Sequence, residues 1–312
     1  MPATFTHWAK NSLSRSPLAG ECCLRAELAS FLHMKGSIQV ASGRIALTVV
    51  TENPAVARRL FSLFKTLYGL NIEIFFRQKT RLKKNNVYLV QARGEEQVRR
   101  IMDSVGRLDK EGSYSLGLDK KILRRRCCKK AFLRGAFLAG GYLSDPGSSY
   151  HLEMVMDYEE HARTLVRLLK EFSLKANFRR RKHSYVAYVK GSDAIASFLQ
   201  LIGAHEAFLD FENTRVVKDM RNRINRLVNF ETANLNKTVE AALQQLEDIK
   251  LIQATIGLER LPNSLRPLAE LRLAYPEASF QELGAMLTPP LGKSGVNHRF
   301  RKIRQIVAKL VP

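Results

Sequence analysis

The stretch ECCLRAELASFLHMKGSI (residues 21–38) has a counterpart further along the chain, RCCKKAFLRGAFLAGGYL (residues 126–143). Both stretches begin with a charged residue and two adjacent cysteines, and both reach a glycine at the same distance from those cysteines. A unit that recurs after roughly 100 residues is too long for a solenoid repeat and indicates a duplicated domain. Identical residues coincide at the pairs Cys22/Cys127, Cys23/Cys128, Ala26/Ala131, Leu28/Leu133 and Gly36/Gly141.

The segments that follow the two stretches have the same order of helix-like and strand-like patterns, so each half reads α-β-β-α-β-β-α. The sequence therefore predicts an α+β domain over residues 21–212, with repeats at about 21–106 and 126–204, after an N-terminal arm at 1–20. The middle helix of each half has apolar residues at helical spacing, namely Val56, Leu60, Leu63 and Leu67 in the first and Ala162, Leu165, Leu168 and Leu169 in the second.

Residues 213–261 have a different pattern, with apolar residues every three or four positions. This spacing predicts a helical linker, either one long helix or two shorter ones with a break near Asn229. The polar face is rich in Arg and Asn, and Asn has poor helix propensity. Two explanations stay open: the asparagines cap broken helices, or Arg221, Asn225 and Arg226 contact DNA or the neighbouring domain.

Residues 262–312 are predicted to form a small all-α domain. Pro276 ends a first helix, and Ser279 is a good N-cap for a second helix, FQELGAMLT. A turn with two prolines then leads into a last helix, VNHRFRKIRQIVAKL. Three short helices with a tight turn before the last are the pattern of a helix-turn-helix.

The last helix is the first candidate for contact with DNA. Residues 288–312 include basic residues and no acidic ones. In helix-turn-helix proteins the start of the recognition helix enters the major groove, where Asn and Arg contact base edges and Ser and Lys suit phosphates. A basic amphipathic helix that docks on protein or membrane is the alternative. The predicted DNA-binding residues are Lys293, Ser294, Asn297, His298, Arg299, Arg301, Lys302 and Arg304.

A second set of basic residues recurs between the later strands of both halves, in RQKTRLKKNN (77–86) and RRRKH (179–183). Hairpins rich in Arg and Lys beside a sheet suit contacts with a duplex backbone, whereas a solvated charge run is the alternative. The predicted secondary DNA contacts are Arg77, Lys79, Arg81, Lys83, Lys84, Arg179, Arg180, Arg181 and Lys182, together with Arg221 and Arg226 of the helical segment.

The composition supports a polyanionic partner. The chain has 51 Lys and Arg against 29 Asp and Glu, a formal net charge of +22. Double-stranded DNA is the expected partner, and a membrane surface is the weaker alternative. The first 20 residues contain no apolar run that suits a signal peptide, and no segment approaches the ~18 apolar residues of a membrane span. We therefore expect a cytoplasmic, nucleoid-associated protein.

The four cysteines form two adjacent pairs and lack the C-x₂₋₄-C spacing of zinc frameworks. In a reducing cytosol, free cysteines are most often buried thiols, so we interpret them as four buried thiols on helix faces. No metal and no cofactor is predicted.

The helices LASFLHMKG and LRGAFLAGGYL resemble the LAGLIDADG motif of homing endonucleases, whose two helices pack at the pseudo-twofold axis of an αββαββα duplication. In that family, an acidic residue just before the final glycine of each helix holds a metal ion. Lys35 and Gly140 stand at these positions here, and His33 and Leu138 stand two residues earlier. Metal-dependent hydrolysis needs carboxylate oxygens, so no catalytic residue is predicted and the nuclease is expected to be lost. Substitution by Asp145 and Glu153 is a minor alternative.

Nearly all of residues 20–310 resembles the WhiA family of bacterial sporulation and cell-division regulators. The resemblance is carried by CCLRAELASFL, FLRGAFLAGG, LIGAHEAFLDFEN, RN-NRLVN-ETAN-NKT and LRLAYPEASFQELGAMLTPPLGKSGVNHR. It implies a degenerate LAGLIDADG-like domain joined to a helix-turn-helix similar to the promoter-binding domain of sigma factors. It also implies a recognition helix at roughly 293–304.

The resulting hypothesis is a monomeric, non-enzymatic protein that binds specific DNA sequences and regulates the transcription of sporulation and cell-division genes. Other transcription or division proteins are further candidate partners. An architectural, nucleoid-associated or scaffold protein that acts in chromosome segregation and division is the first alternative, and an active nuclease is the second.

Overall fold

A computed structural model describes residues 4–41, 44–70, 72–78, 86–109, 111–115 and 117–310 of the chain. A short helix, α1 (Phe5–Ser14), precedes two successive units of the same order. The first unit consists of α2 (Glu21–Lys35), β1 (Gly36–Ala41), β2 (Arg44–Thr51), α3 (Pro54–Tyr68), β3 (Glu73–Gln78), β4 (Asn86–Arg93) and α4 (Glu95–Ser104). The second consists of α5 (Arg126–Gly140), β5 (Gly141–Leu143), β6 (His151–Met156), α6 (Glu159–Glu171), β7 (Ala176–Arg181), β8 (Ser184–Lys190) and α7 (Ser192–Ile202).

Each unit has one antiparallel four-stranded sheet, ordered β1-β2-β4-β3 in the first and β5-β6-β8-β7 in the second. Side chains alternate between the two faces of a strand. In β6, Leu152, Met154 and Met156 are fully buried on the face that packs against helices, so Glu153 lies on the other face. The α+β fold and the αββαββα duplication predicted from the sequence are confirmed.

The two repeats meet through α2 and α5, and a buried ion-pair network lies at their contact. The Glu27 carboxylate of α2 is fully buried. It accepts hydrogen bonds from Arg59 Nε at 2.9 Å and from Arg134 Nε of the second repeat at 2.9 Å. A buried carboxylate is tolerated only when it is paired and hydrogen-bonded, so these two arginines are what allows Glu27 inside the core.

The rest of the chain is helical: α8 (His205–Thr255), α9 (Arg266–Ala274), α10 (Phe280–Met286) and α11 (Lys293–Leu310). The helix α8 is continuous through Asn229, so the single long helix, and not the broken pair, is the one observed. The chain divides by contacts into two compact units, Met1–Asp219 and Met220–Pro312. In the described part of the chain, no helix is both long enough and apolar enough to span a membrane.

The core of the second unit reaches back into the end of α8. Ile249 and Ile252 of α8 are fully buried. They belong to the same apolar cluster as Leu268 of α9, Leu283 of α10 and Phe300 of α11. This small unit is therefore a packed helical domain that includes the last turns of α8, and its core fixes the position of α11.

Candidate nucleic-acid interface

The turn before α11 brings α10 and α11 into close contact. Ser279 caps α10, because its hydroxyl accepts from the N–H of Glu282 while the Glu282 carboxylate accepts from the N–H of Ser279. A Cβ atom at Gly284 would come within 2.0 Å of the carbonyl oxygen of Leu291. Only glycine permits this approach, and the Leu291 N–H donates to the Gly284 carbonyl at 2.9 Å. The helix-turn-helix predicted from the sequence is present.

Arg272 of α9 stabilises this arrangement from the inside. The residue is only 1% exposed. Its Nη1 donates to the carbonyl oxygens of Pro276 at 3.1 Å and Ala278 at 2.6 Å. Its guanidinium carbon lies 5.9 Å from the ring centre of Phe280 and 5.4 Å from that of Phe300. Burial lowers the pKa of Arg272, yet a guanidinium remains charged in proteins. A buried cation therefore links the α9–α10 loop to α11.

The helix α11 has one buried face and one exposed face. Val296, Phe300 and Ile303 are buried in the domain core. Residues spaced three or four apart share a helix face, so Asn297 and Arg301 lie together on the exposed side. Of the eight predicted DNA-binding residues only one, the half-buried Arg299, is not fully exposed. The exposed ones are Lys293, Ser294, Asn297, His298, Arg301, Lys302 and Arg304.

The basic hairpin of the second repeat is less free than its sequence suggests. Glu153 of β6 accepts from Arg179 Nη2 at 3.3 Å and from Arg181 Nη1 at 3.1 Å, both on β7. His151 Nε2 lies 2.8 Å from the same carboxylate. Burial alone would raise the pKa of Glu153, but the His151 hydrogen bond and the nearby positive charges outweigh it and lower that pKa. Two of the predicted arginines are therefore paired on the open face of this sheet, where Glu153 serves as their counter-ion.

The remaining predicted contacts are distributed over several elements. Arg180 and Lys182 are exposed near the tip of the β7–β8 hairpin, and Arg77 is exposed on β3. Lys79, Arg81, Lys83 and Lys84 lie outside the described residues. Arg221 and Arg226 are exposed on α8. Because α8 is unbroken, the explanation that its asparagines cap broken helices is wrong.

The positions of the LAGLIDADG acids are cationic or closely packed. Lys35 is half-buried and lines a cavity of about 830 Å³, together with Lys10 of α1 and one carboxylate residue, Glu52. Burial and then the charge of Lys35 lower the pKa of the Lys10 amine to about 8. A Cβ atom at Gly140 would lie 2.6 Å from the carbonyl oxygen of Val155, so an acidic side chain there would require the backbone to move.

The positions two residues earlier are also unlike a metal site. His33 and Leu138 are both buried. Arg107 Nη1 donates to His33 Nδ1 at 3.1 Å, and the His33 ring stacks on His161 with 3.3 Å between ring centres. Burial, followed by the charges of His161 and Arg107, lowers the pKa of His33 to about 2. The His33 ring is therefore neutral at physiological pH and is part of the packing between α2 and α6.

The interpretation of the cysteines as four buried thiols needs correction. Cys23 and Cys128 are buried, but Cys22 is half-buried and Cys127 is exposed. The packing of α2 on α5 also brings the four Sγ atoms within 4.8 Å of one another. The spacing within each pair does not show that the two pairs are in contact. A duplication that places equivalent cysteines on two helices that pack together was the signal available for this cluster.

Comparison with known proteins matches three family models to the chain. The WhiA N-terminal LAGLIDADG-like domain matches residues 21–108, the WhiA LAGLIDADG-like domain matches 129–221, and the WhiA C-terminal HTH domain matches 224–307. The chain is 50% identical over 311 residues to a protein of Desulforamulus reducens named probable cell division protein WhiA, covering 98% of this chain and 96% of that one. A relative of the same name from Desulfitobacterium hafniense is 48% identical over 307 residues, with 98% and 96% covered.

Solved structures of WhiA proteins also match the chain. The crystal structure of full-length DUF199/WhiA from Thermatoga maritima matches with a TM-score of 0.60 and 26% identity, covering 98% of this chain and 99% of that chain. The structure of the N-terminal LAGLIDADG domain of DUF199/WhiA matches with a TM-score of 0.51 and 26% identity, covering 65% of this chain and 92% of that domain. The likeness therefore extends over the duplicated region and the helical region together.

Proposed function

The chain belongs to the WhiA family, and from this premise we propose that it is a sequence-specific, non-enzymatic DNA-binding protein that regulates transcription in cell division and sporulation. The observation that carries the proposal is the exposed face of α11. Asn297 and Arg301 lie there one turn apart, and Lys293 and Ser294 stand at the helix start. Asn and Arg side chains read base edges in the major groove, whereas Lys and Ser suit phosphates.

The proposed organisation gives each segment one task. Residues 262–312 read DNA, and the duplicated region at 21–212 is a basic scaffold. Residues 213–261 connect these two regions, and the last turns of α8 also complete the core of the DNA-reading domain. The role in cell division is supported by the names of relatives that are 46–50% identical, which are called probable cell division proteins. A role in sporulation is the broader expectation for the family. Double-stranded DNA is the proposed partner.

The proposal that the protein does not cut DNA is supported by the ends of α2 and α5. Hydrolysis assisted by Mg²⁺ needs carboxylates that hold the cation against the scissile phosphate. Lys35 and the closely packed Gly140 stand where LAGLIDADG homing endonucleases have their metal-binding acids. A second amine, Lys10, is close to Lys35. An excess of positive charge at this place repels a divalent cation.

The experiment that tests the DNA-binding proposal is genome-wide mapping of DNA bound by the full-length protein and by the double variant Asn297→Ala, Arg301→Ala. We expect the full-length protein to enrich a small number of sites with a shared sequence. The double variant should lose those sites and keep weak, sequence-independent binding. Equal site enrichment by both proteins would contradict the assignment of α11.

A plasmid assay tests the absence of cleavage. Supercoiled plasmid is incubated with purified protein and Mg²⁺ or Mn²⁺, and we expect no nicked or linear product. A parallel sample of the variant Lys35→Ala identifies contaminating nuclease, since any cleavage present in both samples at equal rate is not chemistry of this cavity. Cleavage that depends on metal and is abolished by Lys35→Ala would refute the non-enzymatic assignment.

A further inference from the structure

The four cysteines form one cluster across the contact of the two repeats. Cys22 and Cys23 lie in the first turn of α2, and Cys127 and Cys128 lie in the first turn of α5. The Sγ atoms are 4.0 Å apart within each pair, and all four lie within 4.8 Å of one another. In the described part of the chain, no other group of three or more His, Cys, Asp and Glu residues is close enough to hold one metal ion.

These distances suit a single tetrahedral ion. Zn²⁺ binds four thiolates at about 2.3 Å, which places the sulfur atoms about 3.8 Å apart. Sγ atoms that are separated by at most 4.8 Å need to move inward by no more than about half an ångström per thiol. Iron–sulfur clusters also use four cysteines, but their several iron atoms hold the thiolates further apart than one ion does. Soft thiolate ligands in a tetrahedral arrangement therefore favour zinc.

Positive groups lie on the exposed side of the cluster, beside Cys22. The N-terminal ends of α2 and α5 converge on the cluster, and neither N-cap residue, Gly20 or Arg125, uses a side chain to cap its helix. The helix dipole at such ends favours thiolates. Arg125 Nη1 donates to Cys22 Sγ at 3.9 Å. Arg124 and Lys121 line an adjacent cavity of about 330 Å³, so cations offset part of the charge that four thiolates carry.

We propose that Cys22, Cys23, Cys127 and Cys128 form a zinc site that binds one Zn²⁺ and joins the two repeats. The site lies at the N-terminal ends of α2 and α5, the opposite ends from Lys35 and Gly140. Its role is structural, because all four coordination positions are taken by protein and none is open to a substrate. Metal binding is linked to folding where the ligands converge only in the folded chain, so zinc stabilises the contact between the repeats.

The first experiment measures the metal in the full-length protein. Protein is purified in the presence of reductant and without chelator, and zinc is measured by inductively coupled plasma mass spectrometry. We expect about one Zn²⁺ per chain. Replacement of Zn²⁺ by Co²⁺ should give the intense absorption of thiolate-to-metal charge transfer and the visible bands of a tetrahedral ion. Removal of zinc by a chelator should lower the melting temperature, and added Zn²⁺ should restore it.

Variants assign the ligands. Cys127→Ser and the double variant Cys22→Ser, Cys127→Ser should lose bound zinc and the cobalt charge-transfer band. Cys127 is exposed, so its change leaves the core intact. Lys175→Ala is the matched control, because Lys175 is an exposed lysine between α6 and β7 of the second repeat and does not line the cavity beside the cysteines. It should retain the zinc content and the cobalt spectrum of the parent protein.

Three results would overturn the proposal. One is a reduced parent protein that contains no more zinc than the double variant. Another is a Co²⁺ spectrum without thiolate charge transfer, which places the metal elsewhere. The third is isolation of the reduced-buffer protein with disulfides among these cysteines, shown by a mass lower by two hydrogens per bond, because disulfide sulfurs are not thiolate ligands. If a cysteine variant fails to fold, the metal content and Co²⁺ spectrum of the parent protein decide the question.

Discussion

Two basic surfaces of this protein differ in how freely their charges can be used. On α11, Asn297 and Arg301 share an exposed face, and residues 288–312 contain no acidic residue. On the open face of the second sheet, Arg179 and Arg181 are already paired with Glu153. A charge-assisted pair must be broken or shared before its arginines contact a phosphate. The difference shows that the number of basic residues in a segment does not measure the charge available to DNA.

The largest effect is expected from loss of the buried cation behind α11. Arg272→Ala removes two hydrogen bonds from a charged donor to the Pro276 and Ala278 carbonyls and leaves a cavity between Phe280 and Phe300. Each such bond contributes about 1.5–3 kcal/mol, so the free energy of unfolding of the helix-turn-helix should fall by at least about 3 kcal/mol. Hydrogen exchange with mass spectrometry measures this as lost protection in α9, α10 and α11.

Arg266→Ala is the matched control for that prediction. Arg266 lies on the same helix and pairs with Glu270 at 2.8 Å, but both side chains are nearly half exposed. An exposed pair of this type contributes little to stability, because solvent screens the two charges. Peptides of α2 and α5 serve as an internal reference in both variants. If the two arginine variants lost equal protection, Arg272 would not be what holds α11 in place.

The second prediction concerns base reading on α11. Arg301→Ala should weaken binding to the specific site by about 1–3 kcal/mol, or about fivefold to 150-fold, because a bidentate contact to a base is lost. Arg299→Ala removes the same charge from the same helix, but residues two apart point about 160° away from each other. Arg299 is half-buried beside the core. The Arg299→Ala variant should weaken binding to specific and to non-specific DNA by the same factor, which paired gel-shift titrations would show.

Much of the fold could be predicted from the sequence because its signals are local or repeated. The equivalent stretches at 21–38 and 126–143 gave the duplication, and Pro276 with Ser279 gave the boundary between α9 and α10. Helix periodicity and helix capping depend on residues that are close together in the sequence. The α11 residues followed from the same logic, since the face opposite the apolar positions of a helix is exposed.

What could not be predicted depends on contacts between distant residues. Glu153 pairs with Arg179 and Arg181 only because β6 and β7 both flank β8 in the sheet. Arg272 carries no signal in the sequence that distinguishes it from exposed arginines, although it is 1% exposed. The apolar spacing along α8 predicted a buried face, yet Met220, Ile224 and Leu227 are more than half exposed. Apolar periodicity shows that a helix has an apolar face, but it does not show which residues pack against that face.

The third prediction tests whether the paired arginines contact DNA once released. Glu153→Gln removes the counter-ion of Arg179 and Arg181. If this sheet face contacts the duplex, the salt dependence of non-specific binding should steepen by about 0.9 for each additional phosphate contact, up to about two contacts. Fluorescence anisotropy over a range of salt concentrations measures the slope. Glu159→Gln on α6 changes the charge equally and should leave the slope unchanged.

The smallest effect is expected in the stability of the Glu153 cluster at acid pH. The folded-state pKa of Glu153 is lowered, so its ion pairs contribute stability that is present above the unfolded pKa of about 4.3 and is lost as pH falls through the folded pKa. Arg179 and Arg181 are about 60% exposed, and solvent limits their contribution to less than about 1 kcal/mol. A double-mutant cycle of Glu153→Gln and Arg181→Gln, read from urea unfolding at neutral pH and below pH 4, isolates the pair from other carboxylates. The coupling energy should be measurable at neutral pH and approach zero in acid. A coupling that persists unchanged in acid would mean that the two residues interact through packing, and the contrast with the unpaired cations of α11 would then not be one of charge.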